Sequence, residues 1–146
     1  MKLHHIIYVS KGIDINEAKL DDILQTSRSF NSINNITGML LFIDGKFFQV
    51  LEGRKDVIEG LYANIRKDKR HEQVTTVSAH PISNRTFKSW SMRYNALSES
   101  EFYDLSGISS WQTLLALKPG PSENMAYVFS RKFTDKTFPS ADWWIG

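Results

Sequence analysis

Gln49 is the side chain whose chemistry most needs a partner. It sits inside the apolar run from Phe47 to Leu51, and strand alternation puts it on the same pleat face as Phe47 and Leu51. A carboxamide facing an apolar layer loses hydrogen bonds unless one neighbour donates to its oxygen and another accepts from its nitrogen. Gln49 is therefore either a well-satisfied core amide or an amide set against a polar ligand. Other polar side chains fall on the same inner side. Tyr8 lies on an N-terminal strand, Ser27 and Asn31 continue the inner stripe of a first helix, and Asn64, Asp68, Arg70 and His71 gather near the end of a second. Trp90 and Met92 share one face of a last strand.

Taken singly, each of these has an ordinary explanation: a tyrosine at a strand end, an asparagine cap, a solvated charged helix end, a plain apolar core. Taken together, they are too many hydrogen-bonding groups for a core that must pair every one. A flat, polar-edged aromatic ligand held between the two helices satisfies them at once, with Ile23 and Ile65 as aliphatic walls. Neither glycine-rich phosphate cradle, GxGxxG or Walker loop, is present. Any phosphate therefore falls to Arg70 and His71 at the rim. The histidines show no metal-ligand spacing, and no Ser-His-Asp set can be assembled.

The frame that positions these groups reads as one domain: 146 residues, 41% hydrophobic. The net charge of +2, with signs interspersed, gives little support for direct nucleic-acid binding. The absence of cysteine removes disulfide frameworks, cysteine-based zinc sites and thiol catalysis. The apolar run at the N-terminus is too short for a signal peptide, and no other run spans a bilayer. The expectation is a soluble cytoplasmic protein with no membrane partner.

Leu3 to Val9 reads as a strand, and about Asn16 to Ser29 as a helix with Leu20, Ile23 and Leu24 at helical spacing. Met39 to Ile43 and Phe47 to Leu51 are strands joined by Asp44-Gly45, a strong hairpin signal. Asp56 with Glu59 resembles a capping box opening a helix that buries Val57, Ile58, Leu61 and Ile65. Val74 to Ala79 and Phe87 to Tyr94 read as two further strands. The order βαββαββ predicts a ferredoxin-like α+β sandwich: a mixed sheet with the two helices on one face. Helices over 101–105, 110–117 and 122–132, broken by Pro119-Gly120-Pro121, are expected to cover the other face. Residues 1–95 then form the core and 96–146 a C-terminal helical extension of the same domain.

The chain resembles the BLUF family, flavin-binding sensors of blue light. The resemblance rests on Ile7-Tyr8-Val9-Ser10, the Asn31 region, Ile36-Thr37-Gly38, Phe48-Gln49-Val50-Leu51-Glu52-Gly53, Asp68-Lys69-Arg70-His71 and Arg85-Thr86-Phe87-Lys88-Ser89-Trp90-Ser91-Met92. These motifs span about the first 95 positions in the family's order. The resemblance implies FAD held non-covalently, its ring between the two helices and its tail towards the rim. Tyr8 and Gln49 match the family's photoactive pair, Asn31 the residue that hydrogen-bonds the pyrimidine side of the flavin, and Trp90 and Met92 the residues that relay the change. Phe30 stands where many relatives carry a polar residue, and Asn64 where a basic one is common.

The residue types fit that chemistry. A neutral tyrosine supplies an electron and then a proton, and a glutamine has a donor end and an acceptor end that rotation or tautomerisation exchanges. The adduct chemistry of LOV-type sensors needs a cysteine, which this chain lacks. The resemblance thus implies a photoreceptor with no enzyme activity of its own, signalling through a downstream regulatory protein or its own oligomer. The rival readings are a small acylphosphatase-like hydrolase, whose arginine-lined phosphate loop and catalytic asparagine cannot be found, and a light-insensitive interaction module on the same fold.

Overall fold

The structure, a computed structural model, describes residues 2–88, 91–106, 110 and 112. Its elements are β1 (Leu3–Gly12), α1 (Glu17–Ile33), β2 (Thr37–Ile43), β3 (Lys46–Arg54), α2 (Lys55–Lys67), β4 (His71–Ile82), β5 (Arg93–Leu97) and α3 (Glu99–Ser106). The strands form one sheet in the order β4-β1-β3-β2-β5, antiparallel except for the parallel β2–β5 pair. This is the mixed, ferredoxin-like α+β sheet that the strand and helix order predicts.

The interior strand β1 is buried on both faces from His5 to Ser10. Ile6 and Tyr8 face the two helices, packing with Leu24, Leu40, Phe47, Leu51, Ile58 and Tyr62. On the other face, Phe48 meets Phe102 of α3 with ring centroids 5.9 Å apart. The first C-terminal helix therefore covers the sheet face away from α1 and α2. The expected helices over 110–117 and 122–132 lie outside the described residues, apart from Ser110 and Gln112.

Local chemistry sets the boundaries. Asp44 (φ 44°) and Gly45 (φ 85°) make the two-residue turn that suits a twisted hairpin. Gly38 is required by the approach of β3, because a Cβ there would lie 2.0 Å from the Val50 carbonyl oxygen. Asn16 caps α1 by accepting from the Lys19 N–H at 2.8 Å. That helix runs to Ile33, past the expected end near Ser29, until Asn35 enters the left-handed region at φ 56°.

Three expectations are corrected. The helix α2 starts at Lys55 directly from the end of β3, with no side-chain cap, so Asp56 lies inside the first turn instead of capping it. There its carboxylate favours the positive end of the helix and pairs with Arg54 at 3.1 Å. The strand expected over Val74 to Ala79 runs from His71 to Ile82, and its edge position tolerates Pro81. The strand expected over Phe87 to Tyr94 begins only at Arg93. The backbone before it is committed to side chains: the Thr86 and Phe87 N–H groups donate to Glu52, and the Ser91 and Met92 carbonyls accept from Asn31 and Arg28.

Candidate functional site

A single transverse row crosses the helix side of the sheet. Thr76 on β4 pairs with Tyr8 on β1, Tyr8 with Gln49 on β3, Gln49 with Leu40 on β2, and Leu40 with Tyr94 on β5. Directly paired antiparallel residues point to one face, so the register alone brings the Tyr8 phenol to the Gln49 amide. The Tyr8 hydroxyl donates to Gln49 Oε1, and Gln49 Nε2 donates to the Met92 sulfur at 3.7 Å. Tyr8 and Gln49 are each 4% exposed, which makes both ends of this short chain matter. The amide is thus bonded at its acceptor end by a phenol and at its donor end by a weak thioether acceptor.

Burial pushes the Tyr8 phenol well above its ordinary pKa of 10, and the nearby Tyr62 and Asp68 push in the same direction. Tyr8 therefore stays protonated at neutral pH and keeps its proton to donate. Behind it, the Tyr62 ring lies 5.3 Å from the Tyr8 ring, and the Tyr62 hydroxyl bonds Thr76 at 2.7 Å and accepts from Arg66 at 2.8 Å.

In front of the pair, a cleft of about 260 Å³ opens between α1 and α2. Its floor is Tyr8, Leu40, Phe47 and Gln49. Ile23, Thr26, Ser27, Phe30 and Asn31 of α1 form one wall, and Leu61, Asn64, Ile65, Asp68, Arg70 and His71 the other. All the sequence-predicted site residues line it except two. Met92 sits behind Gln49, 1% exposed, as the acceptor of its amide, and Trp90 lies outside the described residues. Asn31 is 1% exposed within the helix, where its Nδ2 donates to the Ser91 carbonyl at 2.7 Å.

Sequence reasoning missed Thr26, Phe30, Leu40, Phe47 and Leu61 as lining. The signals were present: Phe47 is two residues from Gln49 on one pleat face, Leu61 is one helical turn before Ile65, and Thr26 with Phe30 widens the α1 stripe. Leu40 needed the hairpin register.

The rim differs from expectation in its bonding. Arg70 Nε reaches both Asp68 oxygens at 3.0 and 3.1 Å, its Nη2 reaches Asp68 at 2.6 Å, and its Nη1 reaches Asp22 at 3.0 Å. The hydrogen bonds from Arg70 hold the Asp68 carboxyl below its ordinary range. His71 is committed at both ring nitrogens, to the Ser10 hydroxyl at 2.8 Å and the Ile65 carbonyl at 2.6 Å. A carbonyl only accepts, so Nε2 carries a proton. His71 therefore contributes a ring edge beside Tyr8 and Phe47, with centroids 6.2 and 6.3 Å away.

The donor set suits a flat ring with polar edges more clearly than it suits phosphate. Aliphatic Ile23 and Ile65 oppose each other across an amide-bearing floor, whereas the one guanidinium of the lining is already shared by two carboxylates. Among the described residues no group of three or more acidic or histidine side chains is placed to hold a metal, and no helix is long and apolar enough to cross a membrane.

Fold and cleft together define a small-molecule-binding α+β domain. The family model "Sensors of blue-light using FAD" matches residues 3–93, and the chain belongs to this BLUF family. The photoactivated adenylate cyclase subunit beta of Euglena gracilis is 38% identical over 89 residues, 60% of this chain but only 10% of that protein. The chain thus spans about a tenth of the cyclase subunit it matches. The dark-state structure of BlrB, a BLUF protein, superposes with a TM-score of 0.69 at 27% identity, covering 90% of this chain and 96% of that one. Klebsiella pneumoniae BlrP1, solved with FMN and cyclic diGMP, superposes at 0.63 with 27% identity, covering 88% of this chain and 34% of that one. A role as a blue-light photoreceptor with a flavin cofactor follows from the family.

Proposed function

We propose that this protein senses blue light by reversing the hydrogen bonds of Gln49 against FAD bound in the cleft between α1 and α2. The observation that carries the reading is the Tyr8–Gln49–Met92 chain on the cleft floor. The cleft volume lies just below the roughly 300–1,000 Å³ of sites that enclose a whole ligand, which suits a ring system held inside with its tail outside. FMN presents the same ring, so the choice of FAD rests on the family's description.

A flavin bound there supplies light absorption and an electron-accepting excited state. Tyr8, kept neutral by burial, offers an electron and then its phenolic proton. Gln49 holds its oxygen towards Tyr8 and its nitrogen towards Met92. Rotating or tautomerising the amide exchanges donor and acceptor, so the flavin edge meets a different hydrogen-bonding partner without any covalent bond being made. Ile23 and Ile65 exclude water from the ring faces, and Asn31, Ser27 and Asn64 are proposed to bond its polar rim, with Asp68 and Arg70 at the mouth. Trp90 is proposed to share the relay with Met92.

The proposed role is sensory, with no catalysis by the described residues. Light can act only by biasing a two-state element, and the signal is proposed to pass to a regulatory partner protein or to a second copy of the chain in the cytoplasm. The division into a core of 1–95 and an extension of 96–146 is part of this proposal. Reconstitution with FAD followed by absorption spectra before and after blue light tests the reading. A reversible small red shift of the visible band supports it; a colourless protein after saturating reconstitution, or a bleached band, refutes it.

A further inference from the structure

Glu52 is a buried acid that the proposed switch leaves without a role. It lies three residues beyond Gln49 on β3, so strand alternation turns it to the opposite sheet face, where it is 0% exposed. Its Oε1 accepts from the Thr37 hydroxyl at 2.9 Å and from the Phe87 N–H at 3.0 Å, and its Oε2 from the Thr86 N–H at 2.7 Å. Arg85 closes the network from the same segment. Its Nη1 donates to the Thr37 hydroxyl at 2.9 Å and to the Glu52 carbonyl at 3.0 Å, and its Nη2 to the Asn35 carbonyl at 2.7 Å.

These bonds fasten the entry of the stretch that delivers Met92. At its other end, α1 holds the Ser91 and Met92 carbonyls through Asn31 at 2.7 Å and Arg28 at 3.2 Å. The contact between Gln49 and the Met92 sulfur is a weak hydrogen bond to a soft acceptor. It is too weak to hold the Met92 side chain by itself. The anchors on either side, at Thr86 and Phe87 and at Ser91 and Met92, must fix where the sulfur sits.

We propose that Glu52 is a positioning residue for Met92, acting with Thr37 and Arg85 to set the distance between the Met92 sulfur and the Gln49 amide. One strand then carries the switching amide on one face and the anchor of its acceptor on the other. A buried carboxylate has a desolvation cost that an apolar side chain does not, and the bonds it accepts from this segment are what offset that cost. This inference rests on the Gln49–Met92 contact being part of the light switch.

The test is a methyl NMR measurement on the full chain labelled at its methionine methyl groups, without cofactor and then loaded with FAD. Glu52→Gln turns one oxygen into a donor that faces other donors; Thr37→Val removes two bonds, the one given to Glu52 and the one accepted from Arg85, at nearly constant shape and serves if the first variant does not fold. In the cofactor-free protein, both variants are expected to move or broaden the Met92 methyl signal, assigned with Met92→Leu. Exchange of the Thr86 and Phe87 amides should rise about tenfold in Glu52→Gln, the effect of losing roughly one net hydrogen bond. A purely structural role would instead disturb Met39, which lies on Glu52's own face of the sheet two positions from Thr37. A Met92 signal unmoved in both variants overturns the proposal. Because that result is read without flavin, it stands apart from the light reading, which fails on its own if the loaded wild-type protein does not respond to light.

Discussion

Removing either member of the Tyr8–Gln49 pair should destabilise the cofactor-free protein, and removing both should cost less than the sum. Tyr8→Phe keeps the ring against Tyr62 at 5.3 Å but leaves Gln49 Oε1 without its phenolic donor. Gln49→Leu keeps the volume but leaves the Tyr8 hydroxyl without its acceptor. Each orphaned group sits in a residue that is 4% exposed, so water compensates little, and each single change should cost about 1–3 kcal/mol. In the double variant neither orphan remains, and a buried phenyl lies beside a buried leucine. The coupling energy should therefore fall at about 1–2 kcal/mol, within the range seen for residues in direct contact. The assay is urea denaturation of the four proteins without flavin, with equal slopes required before midpoints are compared. Strict additivity would refute the reasoning, because it would mean that the two side chains do not bond each other in the folded protein.

Three other outcomes follow from the same geometry. Gly38→Ala should cost more than about 4 kcal/mol or prevent folding, because its Cβ meets the Val50 carbonyl oxygen, whereas Gly60→Ala on α2 meets nothing and should gain up to about 1 kcal/mol; denaturation midpoints decide both. Burial raises Tyr8 above 10 and Tyr94 to about 12, so the unfolded chain releases these protons first as pH rises past 10. Stability from them is full below pH 10 and should fall as pH climbs towards 12, with a shallower fall in Tyr94→Phe, read by denaturation across that window. Asn31→Ala should loosen the Ser91 link and, on the proposed function, weaken flavin retention about tenfold, measured by equilibrium dialysis.

The sheet, the hairpin and the two helices over the cleft were legible because their signals are local. Asp44-Gly45 encodes its own turn, and the stripe Ile23, Ser27, Asn31 keeps helical spacing through to the buried Asn31 in the last turns of α1. Tyr8 and Gln49 were legible as inner-face groups by period alone. The last strand was misplaced because its fate depends on bonds to distant side chains. Glu52 takes the N–H groups of Thr86 and Phe87, while Asn31 and Arg28 take the carbonyls of Ser91 and Met92, so these four residues bond side chains instead of a neighbouring strand. The role of His71 was equally hidden. Its placement beside the cleft followed from the chain order, but the engagement of both ring nitrogens required knowing that Ser10 and Ile65 converge on it.

The central claim is that the Gln49 amide exchanges its hydrogen bonds when the protein absorbs light. Side-chain amide NMR of the FAD-loaded protein, with glutamine labelled at its side-chain nitrogen and recorded in darkness and under blue light, tests this at the atom concerned. The Gln49 signal, identified by its absence in Gln49→Leu, should move on illumination and return in the dark together with the visible band. A band that shifts while the Gln49 signal stays in place would contradict the account.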